Sequence, residues 1–361
     1  MRARGTARVL TAFDLGYEID LARAAERLGV GRSADTFRHK RGSAEEPGAP
    51  RRPLRFTRPV EPLVLGGIAS TRELEVALYP FGAISFGYAL PLDLPLEGLV
   101  DVSVLLYDNA ELLGAARGEA QAVLATLGDA VREPELAHAV EDYVVYSLAP
   151  LEAPVAELET NQRELLARIL RAESGPLSLH EVENALDGRI AYGPEELVLV
   201  DWFGALLVGT DMEDERRVLE LTTVELVELR FLDGRLEERL EEAYGLLASA
   251  HRPRFSLSPH THDVERLARF QADSAILHEN FDNALKLLGD DYLARLYELC
   301  SERFHFGAWD TAIERKLATL ESIYSKISDR AARQRAELLE WIVIVLFVLD
   351  ILLYFLPPHV R

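Results

Sequence analysis

Cysteine is nearly absent from this chain. A single residue, Cys300, among 361 excludes an intrachain disulfide framework and every metal site built from several cysteines. Catalytic signatures are missing as well. Gly66-Gly67 lacks the Lys-Ser/Thr of a phosphate-binding loop and the spacing of a dinucleotide fingerprint, so it reads as a turn or bulge. No G-x-S-x-G elbow occurs, and Ser85 within ISFGY reads as an ordinary strand residue. His260, His262 and Asp263 fit no common metal spacing, and Asp263 has a simpler role at a helix N-terminus. His278-Glu279 lacks the second histidine of a zinc-protease motif. No cofactor or metal follows from this inventory. An apolar leader is also missing at the N-terminus, which argues against a cleaved secretion signal.

Positive charge is in deficit. Sixty acidic residues against 39 basic ones give a net charge of −21, which disfavours general nucleic-acid binding. The basic residues are nevertheless clustered: eight Lys or Arg against three acids lie between Arg32 and Arg58. Residues 29–53 carry Gly, Pro and Arg with no apolar period and read as a flexible basic linker. Arg51, Arg52, Arg55 and Arg58 are its candidate contacts to an anionic partner, and RNA binding through 32–58 is one functional alternative.

The rest of the chain suggests an α+β protein. Residues 1–28 read as a strand, a turn at Gly16 and a short helix. Between 54 and 210 the apolar runs are short, β-rich and bounded by Gly or Pro. Strands are expected at 62–68, 74–79, 82–89, 99–107, 141–148, 197–201 and 204–208. Helices are expected at 110–128, 159–172 and 178–187, the last opened by the capping pattern of Ser178 and Glu181. From 211 to 337 Pro and Gly become sparse and long antiparallel helices are expected, forming a coiled-coil-like stalk. Ile313, Leu317, Leu320, Tyr324, Ile327 and Leu338 keep four–three spacing, with Gln334 a polar position in the seam. That heptad calls for a partner, either the preceding helix of 261–302 or a second copy of the chain. The acid-rich 237–242 segment reads as a solvated helix face.

One long hydrophobic run exists, Trp341 to Leu356, and it holds a single charge, Asp350. As a helix it extends roughly 24 Å, against a hydrocarbon core of about 30 Å. Its aliphatic and Phe side chains favour insertion by roughly 4–8 kcal/mol, and Asp350 opposes it by about 3 kcal/mol. A single C-terminal membrane span over 338–356 is therefore expected; a buried or interfacial helix is the alternative. Trp341, Ile342, Leu346, Phe347, Asp350, Tyr354 and Phe355 would form the anchor. Arg330, Arg333 and Arg335 precede it, which would leave the bulk of the chain in the cytoplasm beneath a bacterial inner membrane, tail-anchored. Asp350 reads either as a hydrogen-bonding group between copies or as a tolerated interfacial residue.

The segment Asn283–Lys286 with Gly289, Asp290, Asp291, Tyr292 and Arg295 resembles a signature of the YagE/"required for meiotic nuclear division" family. So do Trp309, Lys316, Ile323–Tyr324 and Glu340–Ile344, and upstream Glu228–Phe231 and Tyr79–Phe86. The resemblance implies a single-span, self-associating protein, with mitochondrial translation the role of eukaryotic members. It supplies no catalytic residues. Together these features predict a non-enzymatic, membrane-anchored, homo-oligomeric scaffold, with a translation-machinery partner by resemblance alone. An enzyme using dispersed carboxylates or His180 within 60–210 is the rival, and a pocket with convergent polar groups would favour it.

Overall fold

The structure, a computed structural model, describes residues 1–31, 52–249 and 290–355. The chain divides into two compact units. One comprises Met1–Leu232 with Ala275–Asp310, the other Asp233–Ser274 with Thr311–Arg361.

The first unit is mixed α/β, built on an eight-stranded sheet. In chain order its strands are β1 (Arg2–Asp14), β3 (Leu54–Pro59), β6 (Glu73–Leu78), β7 (Ala83–Pro95), β9 (Glu141–Leu148), β10 (Arg189–Ile190), β11 (Leu197–Val200) and β12 (Gly204–Val208). Their spatial order is β10-β11-β12-β9-β1-β7-β6-β3. Every pairing is antiparallel except β12 with β9, which is parallel. Short ribbons pair β2 (Glu18–Ile19) with β8 (Val131–Arg132) and β4 (Val64–Leu65) with β5 (Ile68–Ala69). The β4–β5 turn is Gly66-Gly67, both at positive φ, the conformation a two-residue hairpin requires.

Strand alternation divides the sheet's side chains between two layers. Val9, Phe13, Ile84, Phe86, Val144 and Tyr146 join a core with helices α1 (Leu21–Leu28), α2 (Leu99–Leu106), α3 (Ala110–Leu127) and α5 (Arg163–Arg171). Helix α1 is closed at both ends. The Asp20 carboxylate accepts from the Ala22 and Arg23 amides, and Gly29 takes the left-handed cap. On the opposite face Glu75, Ser85 and Glu141 meet polar side chains of helix α7 (Glu213–Ser249), and Arg8 pairs with Glu75. Gly82, between β6 and β7, has φ +111, and a Cβ there would lie 1.8 Å from the Gly16 carbonyl oxygen, so glycine is required.

Several expected elements are present: 74–79 as β6, 82–89 within β7, and 141–148, 197–201 and 204–208 as β9, β11 and β12. Ser178 caps helix α6 (Leu179–Asp187) by accepting from the Glu181 amide. The segment 99–107 is a correction. Its run of Leu and Val suggests a strand, but it forms α2, where Leu99, Val100, Val102, Ser103 and Leu106 are buried on several sides. Its outer face carries exposed Val104 and half-buried Leu105 beside Asp101, so the polar face that marks a helix in sequence is missing. The 159–172 helix is two, α4 (Val155–Asn161) and α5, meeting at Gln162.

In the second unit, α7 continues past Asp233 alongside the final helix, Phe306–Phe355, from Thr311 onward. Lys316 Nζ lies 2.8 Å from Asp233 and 3.3 Å from Glu237, and Leu236, Ala243, Ile313, Leu320, Ile323 and Tyr324 are buried. Glu237, Glu238, Glu241 and Glu242 are exposed. Lys316 thus joins the heptad helix to α7 in this unit; residues 261–289 lie outside the described residues.

The expected membrane span is overturned. Among the described residues no helix is long and apolar enough to cross a membrane. The final helix carries charge up to Glu340, and its apolar part is interrupted by Asp350. The α+β fold with a terminal span becomes a mixed α/β unit and a helical unit. The tail anchor, the membrane partner and the inner-membrane location fall with the span.

Candidate functional site

The sheet contains a notch. Strand β12 pairs with β9 only from Val144 onward, while β1 pairs with β9 from Glu141. Glu141, Asp142 and Tyr143 therefore have a strand neighbour on the β1 side and an open flank beside the turn that carries Trp202 and Phe203. A cavity of about 220 Å³ occupies this place. Because it sits at the side of a strand, side chains from both faces of the sheet reach it: Glu141 from the α7 face and Asp142 from the α2–α3 face.

The deep end is an ion pair. Arg230 of α7 donates from Nη1 to Glu141 Oε1. Its guanidinium carbon lies 5.9 Å from the Trp202 ring centre and 5.7 Å from that of Trp309, within cation–π range. Burial nevertheless pushes Glu141 up to about 7, with Arg230 opposing and the neighbouring Asp142 adding to the rise. Asp142 is raised by burial first and then by the negative charge of Asp108.

The mouth is formed by exposed Tyr107 and Asp108 and by the half-buried Phe203. Tyr107 and Phe203 pack edge to face at 5.0 Å. Asp108 has φ +45 and Ala172, also lining the cavity, has φ +52. Ala172 is the left-handed C-cap of α5, and aspartate is a residue that tolerates this region. Behind the wall, Tyr143 donates to the Asp201 carbonyl at 2.8 Å and packs on Phe304, while Arg171 and Arg303 pair with the Asp201 carboxylate.

The serine and threonine hydroxyls that line the cavity are committed elsewhere. Ser103 donates to the Val100 carbonyl at 2.8 Å and Thr223 to the Leu219 carbonyl at 2.8 Å. Among the described residues no group of three or more His, Cys, Asp or Glu side chains could hold a metal ion.

The residues singled out from the sequence are mostly elsewhere. Arg55 is drawn to Glu220 at 2.7 Å and Arg58 to Glu119 at 3.4 Å; Arg52 is exposed, and Arg51 lies outside the described residues. Asp290 caps the helix Asp291–Arg303 by accepting from the Tyr292 amide, and Asp291 pairs with Arg295 at 3.3 Å. Tyr292 is buried against Tyr192 and Trp309 lies beside Arg230. Leu317 is half-buried and Glu340 exposed. Trp341, Ile342, Leu346, Phe347 and Asp350 are exposed. Gly289, His260, His262 and Asp263, and the side chains of Ile327, Leu338, Tyr354 and Phe355, are outside the described residues. His180 is exposed on α6 and does not line the cavity. Cys300 is buried, and burial pushes its thiol up to about 12. The cavity residues themselves had gone unnoticed; Glu141-Asp142 at the head of a β-branched strand was the available signal.

These observations define a mixed α/β domain with a small, partly acidic cleft beside its central strands. The chain belongs to the family described as "Uncharacterized protein MJ0711, N-terminal domain", whose model matches residues 4–215. A relative of the same description, Uncharacterized protein MJ0711 of Methanocaldococcus jannaschii, is 24% identical over 216 residues, covering 59% of this chain and 66% of that protein. The chain thus spans just under two thirds of that relative's length. No solved structure matches. The family corrects the YagE resemblance: its short strings were spread over capping, helix-seam and turn positions, where fold alone selects such residues. The expectation of a translation partner loses its basis with it. The match includes Asp108, Glu141, Asp142, Trp202 and Phe203 and ends before Arg230 and Phe304.

Proposed function

We propose that the α/β unit is a binding module that holds a small polar molecule in the notch beside β9. One observation carries this reading: charged side chains from both faces of the sheet, with aromatic walls, surround a single cavity of about 220 Å³. That volume holds roughly seven waters, so the ligand is compact. Non-covalent binding is supported over nucleophilic catalysis because Ser103 and Thr223 spend their protons on backbone carbonyls.

The test is a thermal-shift series on the full chain with compact cationic, neutral and anionic molecules. At least one class should raise Tm by roughly 5 °C at a hundredfold excess over its Kd. Trp202→Ala and Phe203→Ala, which remove two walls, should abolish the shift. No response to any class would refute the module.

A second reading concerns the helical unit. Trp341 and Phe347 are 67% and 66% exposed and are joined by Leu346 and six further apolar neighbours from 342 to 349, a contiguous surface that supports self-association. Sedimentation of the full chain should give an oligomer at tens of micromolar, and Leu346→Glu combined with Phe347→Glu should give a monomer. A wild-type monomer at that concentration would remove this reading.

A further inference from the structure

The cavity's charge and walls select a ligand class. Arg230 is already engaged: it donates to Glu141 and lies over two indole rings. The pair it forms leaves Asp108 and Asp142 as the charges that face the mouth. Neither forms an ion pair among the described residues, and the two carboxylates repel each other. An anion entering here meets Asp108 and Asp142, two like charges, beside a guanidinium already engaged by Glu141. A cation meets two carboxylates whose repulsion it relieves, beside the Tyr107 and Phe203 rings.

The carboxylates are not gathered as a metal site would require. They are spread around an opening lined by rings, an arrangement suited to a charge distributed over a carbon and nitrogen framework. We infer that the ligand of this cavity is a compact organic cation, an ammonium or guanidinium on a short skeleton, held between Asp142, Asp108 and the Tyr107–Phe203 pair. The inference rests on the binding reading above and sharpens it.

The experiment titrates the full chain with methylguanidinium, its neutral isostere N-methylurea, and acetate, at constant ionic strength. Binding is followed by calorimetry and by the intrinsic fluorescence of the three tryptophans, of which Trp202 lines the cavity. Methylguanidinium should bind at least tenfold more tightly than N-methylurea, and acetate should not compete. Asp142→Asn should weaken methylguanidinium at least tenfold and leave N-methylurea unchanged. Asp108→Asn should act in the same direction; asparagine tolerates the left-handed backbone at this position, so it also guards against a folding defect at Asp142. Equal or tighter binding of N-methylurea or acetate overturns the cation and leaves the binding module standing. Unchanged cation affinity in both Asp variants overturns the assigned contacts. Failure of all three probes, together with a silent thermal-shift series, overturns the module itself.

Discussion

Glu220→Ala should be the most damaging single substitution on the sheet face of α7, lowering the unfolding free energy of the α/β unit by about 3–5 kcal/mol. Glu220 is 4% exposed and stands under a strand layer instead of in water. Its Oε2 is 2.7 Å from Arg55 of β3 and 3.5 Å from Arg216 one turn earlier, and the Ser85 hydroxyl donates to Oε1. Burial alone would raise the carboxyl's pKa, but Arg55 and Arg216 outweigh it and hold the group below its ordinary range. The same cluster continues outward. Arg216 is held by Glu213 at 2.9 Å and lies 3.5 Å from Glu75, which also pairs with Arg8 at 2.7 Å.

Removing Glu220 therefore takes a buried carboxylate from two guanidinium groups at once, one of them almost wholly buried, while Glu213 still holds Arg216. The cost comes from the lost compensation of those buried positive charges as well as from the hydrogen bonds that are lost. Glu220→Gln, which keeps hydrogen-bonding capacity and loses only the charge, should cost clearly less than the alanine variant. Urea unfolding followed at pH 7 distinguishes the two, and an alanine variant within about 1 kcal/mol of wild type would show that water or rearranged acids reach the arginines. Because the folded pKa of Glu220 is depressed, its contribution is present above the ordinary carboxylate range and is lost as pH falls through the folded value.

This cluster shows where sequence reasoning stops. Short apolar runs bounded by Gly or Pro made β6, β7, β9, β11 and β12 legible, and β11 and β12 are buried along their whole length. The charged α7 looked like a solvated helix with an apolar stripe, and beyond Asp233 its glutamates are indeed exposed. Before that point the same residue type is buried: Glu215, Glu220, Glu225 and Glu228 lie inside. Nothing local distinguishes the two halves. The difference is supplied by Ser85 and Arg55 on distant strands, and by Tyr297, whose hydroxyl donates to Glu225 at 2.6 Å. Arg55 looked like a free cation in a basic linker for the same reason. The cavity was hidden more deeply, since it follows from the offset with which β12 meets β9, a long-range register that no single segment encodes.

The second large effect is a change in pH dependence. Glu228 of α7 and Asp14 at the end of β1 are both buried and share a side-chain hydrogen bond, which requires one of them to keep a proton. Burial first, and then the charge and hydrogen bond of Asp14, raise the Glu228 carboxyl well above the ordinary value of 4.5. Asp14 is held in place by the Gly16 amide, which donates to its carboxylate at 3.1 Å, so the pair cannot easily part. A raised folded pKa means that the folded state retains a proton the unfolded chain has released. The stabilisation is complete below the ordinary carboxylate pKa and declines as pH rises towards the folded value, by up to about 1.4 kcal/mol per pH unit. Glu141 and Glu215, each raised to about 7, slope the same way, so the informative quantity is the difference between wild type and Glu228→Gln. Glutamine can donate an amide proton to Asp14 and has none to lose. Relative to wild type the variant should gain stability steadily from pH 5 to pH 7, and the two curves should converge near pH 4.5. Parallel curves across that range would mean that Glu228 is ionised in the folded protein and that the Asp14 contact is made without a shared proton.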